Sequence, residues 1–328
     1  MTFPLLRVYI QSLQFYYTYL VSAGQEKSND EAKIIISTWQ SIYKQPKKYF
    51  DQFDIIIGDE AHLFKANSLT KIMEKMTDCK YRFGFTGTLD ESVTNKLVLE
   101  GLFGPVMRVI TTKELIDNKT LAEFRIKCLV LKYSDATKKL NSKSTYQAEM
   151  DFLVSHEKRN AFIKNLTLTR KGNTLVLFQY VKKHGEPLYE QILKEAEEGR
   201  KVFFVYGGVD ADTREEVRAI TEKENDAIII ASYGTFSTGI NIRNLHNVIF
   251  ASPSKSRIRN LQSIGRGLRK GDNKEVATLY DISDDLCWKS WKNHTLKHFA
   301  VRIKMYNEED FEYKLYNIGI EDGNKLTS

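Results

Sequence analysis

The sequence predicts an α/β fold of two parallel-sheet domains followed by a helical tail. Short β-rich apolar runs recur in two series, and each run is followed by helix-forming sequence. At 328 residues the chain is also longer than one comfortable hydrophobic core, so two lobes are expected. Between the two series, over residues 116–170, the rhythm changes to an alternating segment and then a polar, lysine-rich stretch.

The first series holds Ile34 to Ile36, Asp54 to Ile57 and Tyr81 to Phe85, the last running into Thr86-Gly87-Thr88. Helical stretches between these runs supply the crossovers that parallel strands need, and residues 1–115 form the first domain. Ahead of them, Phe3 to Val21 is apolar but interrupted by Arg7, Gln11, Gln14 and four tyrosines. It is read as a buried or amphipathic helix and not as a membrane span.

Residues 116–170 are read as a connecting segment, with Phe124 to Tyr133 alternating and Ser134 to Lys143 rich in lysine. The second series is Thr174 to Phe178, Lys201 to Val205, Ala227 to Ala231, Asn247 to Ala251 and Val276 to Tyr280. It predicts a second parallel sheet over residues 171–285. Leu296, Phe299, Ile303 and Tyr306 then recur at helical spacing in an extension over residues 286–328.

Composition bounds the chemistry. Hydrophobic residues are 42% and charged residues 28% of the chain, as in a soluble globular protein. The three cysteines, Cys79, Cys128 and Cys287, lie far apart and form neither a disulfide framework nor a C-x-x-C metal pair. A reducing cytoplasm is expected, with no membrane partner. A net charge of +7 permits a polyanionic partner without demanding one.

Ile55-Ile56-Ile57 runs through Gly58 into Asp59-Glu60-Ala61-His62, which puts two carboxylates at the C-terminal end of a buried parallel strand. Ligands bind at that edge of an open α/β sheet. There an aspartate can hold Mg²⁺ through its water shell, and the adjacent glutamate can orient or deprotonate a water that attacks a γ-phosphate. An Asp-Glu pair by itself would equally suit a helix N-terminus.

Asp59-Glu60-Ala61-His62 resembles motif II of the DEAH-type superfamily 2 helicases, and further motifs follow in that family's order. Ser37-Thr38-Trp39-Gln40-Ser41 is similar to a segment that touches the nucleic-acid backbone, and Phe85-Thr86-Gly87-Thr88-Leu89 resembles motif III. Thr174 to Phe178 looks like motif IV, and Ala231 to Asn241 resembles motif V. Gln262-Ser263-Ile264-Gly265-Arg266-Gly267-Leu268-Arg269 is similar to motif VI, and its spacing puts Arg266 and Arg269 on one helical face.

The resemblance implies two RecA-like domains, ATP and Mg²⁺ as cofactors, and a nucleic-acid partner. In residue terms it implies Asp59 as the metal-holding carboxylate and Glu60 as the water-activating one. Arg266 and Arg269 would reach the γ-phosphate across the cleft as arginine fingers. It places His62, Gln262, Gly239 and Asn241 at the nucleotide, and Thr38, Gln40, Thr86, Thr88, Thr235, Ser237, Thr238 and Lys255 along the nucleic-acid backbone, where contacts carry no sequence information. The run Lys255, Arg257, Arg259 and Lys270 fits either phosphate contacts or a solvated face.

Connecting sequence narrows the resemblance to the phage UvsW-type helicases. Lys44-Gln45-Pro46-Lys47, Phe50-Asp51-Gln52-Phe53 and Gly101-Leu102-Phe103-Gly104 look like that group, as does Ala231 to Ile240. Membership implies ATP-driven remodelling of branched DNA or R-loops in recombination, replication and repair, with branched or single-stranded DNA or an RNA-DNA hybrid as the partner. The sequence departs from the pattern in one respect. No G-K-[ST] phosphate loop occurs anywhere in it, so the first domain is read as incomplete, truncated before motif Ia. Either the chain is a fragment of a longer protein, or an N-terminal half encoded upstream supplies the loop. Otherwise the chain is a non-hydrolysing, DNA-binding or partner-docking remnant of such a helicase. The motor part of a restriction enzyme shares these motifs, but no nuclease cluster is evident.

Overall fold

A computed structural model describes residues 18–21, 31–87, 89, 93–239, 242–252, 254–256, 260–261, 263–265, 276–321 and 326–327. The chain divides into two compact units, residues 1–107 and 108–328.

In the first unit, β1 (Thr18–Val21) pairs in parallel with β2 (Ile34–Ser37), and β3 (Ile55–Gly58) pairs in parallel with β4 (Tyr81–Gly84). Thr18–Val21 had been expected to end a helix; its Thr, Tyr and Val are strand formers, and β2 gives its backbone a partner. The remainder of that expected helix, residues 3–17, lies outside the described residues.

A small core gathers Phe50, Phe64, Leu69, Ile72, Met73, Met76 and Leu99. Lys75 ties this core to the chain ahead of β3, donating from Nζ to the Tyr43 and Gln45 carbonyls at 2.8 and 2.7 Å. The opposite side of the β3 and β4 pair carries Ile55, Ile57, Tyr81 and Phe83, all exposed.

The second unit is built on an eight-stranded sheet. Its strands are β5 (Glu123–Lys132), β6 (Thr174–Phe178), β7 (Val202–Val205), β8 (Ile228–Ser232), β9 (Asn247–Phe250), β10 (Val276–Asp285), β11 (Tyr313–Gly319) and β12 (Leu326–Thr327). Their order is β12-β11-β5-β10-β9-β6-β8-β7, parallel throughout except for the β11 and β12 edge.

Alternation sends Leu175, Leu177, Ile229, Ala231, Val248 and Phe250 into one apolar layer. Val176, Phe178, Ile228, Ile230 and Ile249 enter the other. Both faces are therefore buried, which is why these strands read as continuous apolar runs.

Two parts of this sheet come from sequence that had been read as connection and tail. β5 pairs with β10 along ten residues, Glu123↔Val276 to Lys132↔Asp285, and β11 extends the sheet beyond β5. The tail holds the expected helix, His294–Glu308, as well as β11. That helix receives its N-terminal cap from a distant element. Glu149, fully buried on the helix Tyr146–Ser155, accepts from the amides of His294 and Thr295 at 2.8 and 2.7 Å and from Asn293 Nδ2 at 3.0 Å. A carboxylate there satisfies otherwise unpaired helix donors and complements the helix dipole.

One buried titratable group sets an acid limit on stability. His184 is fully buried, with Nδ1 3.0 Å from Ser252 Oγ and Nε2 without a partner. Burial, with Arg159 adding positive charge, pushes its pKa down to about 3. The unfolded chain protonates this imidazole near pH 6.5 and the folded chain does not, so stability is full above pH 6.5 and falls as the pH drops from there toward 3. The slope from this group is at most about 1.4 kcal/mol per pH unit. Thermal unfolding on both sides of pH 6.5 checks it: His184→Gln should flatten the acid-side fall, and equal slopes would refute the assignment.

Candidate functional site

In the first unit the C-terminal ends of β3 and β4 form one edge. The Phe85 amide donates to the Gly58 carbonyl and the Ala61 amide to the Phe85 carbonyl, both at 2.8 Å, so the two chains stay paired past the strands. Gly58 and Gly84 face each other in register. A Cβ on Gly58 would lie 2.8 Å from the Phe64 ring, and one on Gly84 would lie 2.9 Å from Ala61 Cβ. Glycine at both positions lets the aromatic layer approach the strand ends closely.

From this edge Asp59 and Glu60 emerge. Asp59 is exposed, and its Oδ1 accepts from the Glu60 amide at 2.9 Å, which fixes the direction of the carboxylate while leaving it open to solvent. Glu60 has φ 49° and ψ 50°, a left-handed conformation that costs a residue with a Cβ on the order of 1 kcal/mol. The turn projects its side chain back toward His62, whose Nδ1 lies 3.2 Å from Glu60 Oε2 and 2.9 Å from Thr86 Oγ1. His62 is buried. Its imidazole therefore joins the carboxylate after β3 to the hydroxyl after β4.

The structure thus brings Asp59, Glu60, His62 and Thr86 together on one edge. Thr38, just after β2, shares a 3.0 Å hydroxyl contact with Ser41, and Gln40 is exposed on the short helix Trp39–Ile42. Thr88 lies outside the described residues.

In the second unit, Ser232 ends β8 and caps the helix Tyr233–Gly239, its Oγ accepting from the Thr235 amide at 3.3 Å. Thr235 is buried, with its hydroxyl 2.8 Å from Ser232 Oγ, so this expected backbone contact is engaged inside the unit. Ser237, Thr238 and Gly239 continue the helical backbone, and their side chains are not described. Lys255 is exposed beyond β9. Asn241, Gln262, Arg266 and Arg269, with Arg257, Arg259 and Lys270, lie outside the described residues.

Sequence reasoning passed over a second group, Arg159, Asp284, Arg302 and Asp281, all buried and joined by the buried Tyr306 of the tail helix. A signal was present. Asp281-Ile282-Ser283-Asp284-Asp285 puts acids at the end of a run that otherwise belongs in a sheet interior, and acids there need partners.

Comparison with known proteins agrees with this geometry. Residues 8–91 match the family of the type III restriction enzyme res subunit, and residues 157–271 match the helicase conserved C-terminal domain. The ATP-dependent DNA helicase UvsW of Enterobacteria phage T4 is 35% identical over 313 residues, 91% of this chain and 61% of that protein. The chain belongs to the superfamily 2 helicases. A match over 91% of this chain runs through both units.

The crystal structure of T4 UvsW superposes with a TM-score of 0.53 at 32% identity, covering 93% of this chain and 62% of that one. The DNA-bound type ISP restriction-modification enzyme LlaBIII gives 0.62 at 16% identity, covering 87% of this chain and 23% of that one, a likeness of fold alone. The chain spans about three fifths of the length of the curated UvsW protein, 61%.

Proposed function

We propose that this chain is the motor of an ATP-dependent DNA helicase or translocase of the UvsW type. In this reading it remodels branched DNA or R-loops in recombination, replication and repair, acting on branched or single-stranded DNA or an RNA-DNA hybrid. The observation that carries the reading is the carboxylate edge: Glu60 and Thr86 meet on one imidazole, His62. A change at the γ-phosphate side of Glu60 is thereby felt directly by the segment after β4, whose hydroxyls are assigned to the nucleic-acid backbone. The 35% identity to UvsW supports a motor over a docking remnant.

The donor set fits Mg²⁺. Asp59 is a directed, solvent-open carboxylate, as a cation that keeps most of its waters requires. When bound with ATP, the ion would neutralise charge on the phosphate oxygens. Glu60 would orient the attacking water and take its proton at Oε1 or Oε2, and His62 would hold that side chain in place. Arg266 and Arg269 are assigned to the charge that develops on the γ-phosphate.

The β-phosphate needs a loop of backbone amides and a lysine that this sequence does not contain, so we assign it to further polypeptide, continuous with the chain or separate. Among the described residues no helix is long and apolar enough to cross a membrane. The cytoplasm is the proposed compartment, that of the host if the chain is phage-encoded.

The test is ATP hydrolysis and forked-DNA unwinding by this chain, with and without a polypeptide that carries a phosphate loop. Turnover stimulated by DNA only when the loop is supplied is the expected result. Strong DNA-stimulated turnover by this chain alone would contradict the assignment of the loop. No turnover in either mixture would contradict the motor.

A further inference from the structure

The chain after β9 leads through the helical residues Asn260 and Leu261 into Gln262 to Arg269 in sequence. Three of its carbonyls accept from buried side chains on three separate helices. Arg159 Nη2 donates to Ala251 O at 2.9 Å, Tyr233 Oη to Ser252 O at 3.0 Å and Arg302 Nη1 to Ser254 O at 3.0 Å. Asn260 Nδ2 adds a 3.3 Å bond to the same Ser254 carbonyl.

Both guanidiniums are anchored on β10. Arg302 donates from Nε and Nη2 to Asp281 at 2.8 Å, and Arg159 donates from Nε and Nη2 to Asp284 at 2.8 and 3.1 Å. A tyrosine completes each carboxylate: Tyr306 reaches Asp281 at 2.8 Å and Tyr133 reaches Asp284 at 2.7 Å. Asp281 and Asp284 are separated by an odd step, so they leave β10 on opposite faces of the sheet. Asp281 pairs in register with Phe250, the last residue of β9. The same arrangement thus grips the chain from both layers at the point where it leaves the sheet.

A guanidinium suits this role because its fork is planar: two donors meet a carboxylate while another remains for a carbonyl. Burying a charge merely to hold helices together is a poor exchange against apolar packing, which makes the carbonyl contacts the informative part. On the far side of the gripped carbonyls, Asn260, Ser263 and Ile264 are all buried, so these residues have little room to shift independently.

We infer that Arg159 and Arg302 are positioning residues for the arginines of Gln262 to Arg269. With Tyr233 they fix the carbonyls of Ala251, Ser252 and Ser254, in the chain that leads in sequence to Arg266 and Arg269. The inference rests on the motor reading above.

The test uses Arg302→Lys in the full chain, because lysine keeps a positive charge beside Asp281 but cannot hold the carboxylate and the Ser254 carbonyl with the same fork. Tyr233→Phe, which removes one hydroxyl and no charge, is the second variant. By hydrogen exchange, amides from Ser254 to Gly265 should open about tenfold faster in Arg302→Lys while those of β6 and β8 keep their protection. With the phosphate loop and forked DNA supplied, kcat should fall about tenfold with KM for ATP within about twofold. Tyr233→Phe should move both readouts the same way by a smaller factor.

Exchange that rises equally across the sheet overturns the inference, since it reports a structural role only. Turnover left intact in Arg302→Lys overturns the positioning role alone. Absence of turnover in the unmodified protein overturns the motor reading and this inference together.

Discussion

Glu60→Gln is expected to lower DNA-stimulated ATP hydrolysis by about a hundredfold or more, the usual scale for loss of a general base. The substitution is close to isosteric, and the Glu60 side chain is 47% exposed, so no buried charge is lost or stranded. Its left-handed backbone treats glutamate and glutamine alike, and the amide oxygen can still accept a hydrogen bond from His62 Nδ1, 3.2 Å from the present carboxylate oxygen. Fold and nucleic-acid affinity should therefore stay unchanged while proton acceptance disappears. Steady-state hydrolysis with forked DNA and the phosphate loop supplied, paired with DNA binding by anisotropy, makes the comparison. A variant that retains a third or more of the rate would remove Glu60 from the chemistry.

Asp281→Ala should be among the most destabilising single changes in the second unit, by about 3–5 kcal/mol, the usual cost of stranding a buried ion. Asp281 and Arg302 are both almost completely buried, and the carboxylate accepts from Arg302 and from Tyr306. Burial alone would push the Arg302 guanidinium toward losing its proton, but Asp281 more than offsets this and raises its pKa above the ordinary value. Without Asp281 the charge has no compensating partner.

An exposed pair such as Lys171 and Glu197, 3.6 Å apart with both side chains more than 70% exposed, offers the contrast, since solvent screens it and it contributes little. Denaturant unfolding followed by a probe in the second unit checks both. Replacing Arg302 and Asp281 together by apolar residues should recover much of the loss. An Asp281→Ala cost below about 1 kcal/mol would mean that the pair is not what holds the tail helix to the sheet.

Much of the fold was legible because several strands are self-declaring. Thr174–Phe178 is buried on both faces, so its composition marks it without knowledge of its neighbours. The carboxylate edge was equally legible, because a strand that ends in Gly58-Asp59-Glu60 has its chemistry next to it in sequence.

Thr18–Val21 was misread because its apolar content is compatible with helix or strand until β2 is seen beside it. The motif hydroxyls were treated alike, yet Thr86 contacts His62 whereas Thr235 pairs with Ser232, a difference that hydroxyl chemistry alone does not contain.

The sequence by itself determined the α/β class, the order of the apolar runs and the local chemistry of Asp59 and Glu60, since each depends on residues only a few positions apart. Tertiary structure alone decided that Glu123–Lys132 and Tyr313–Gly319 join the second sheet. It alone decided too that His62 links Glu60 to Thr86, and that Arg159 and Arg302 close on Asp284 and Asp281. Those partners are separated by 24 residues for His62 and Thr86 and by 125 for Arg159 and Asp284. Strand pairing and charge compensation are satisfied by whichever group folding brings near, and the local pattern of either partner does not specify the other.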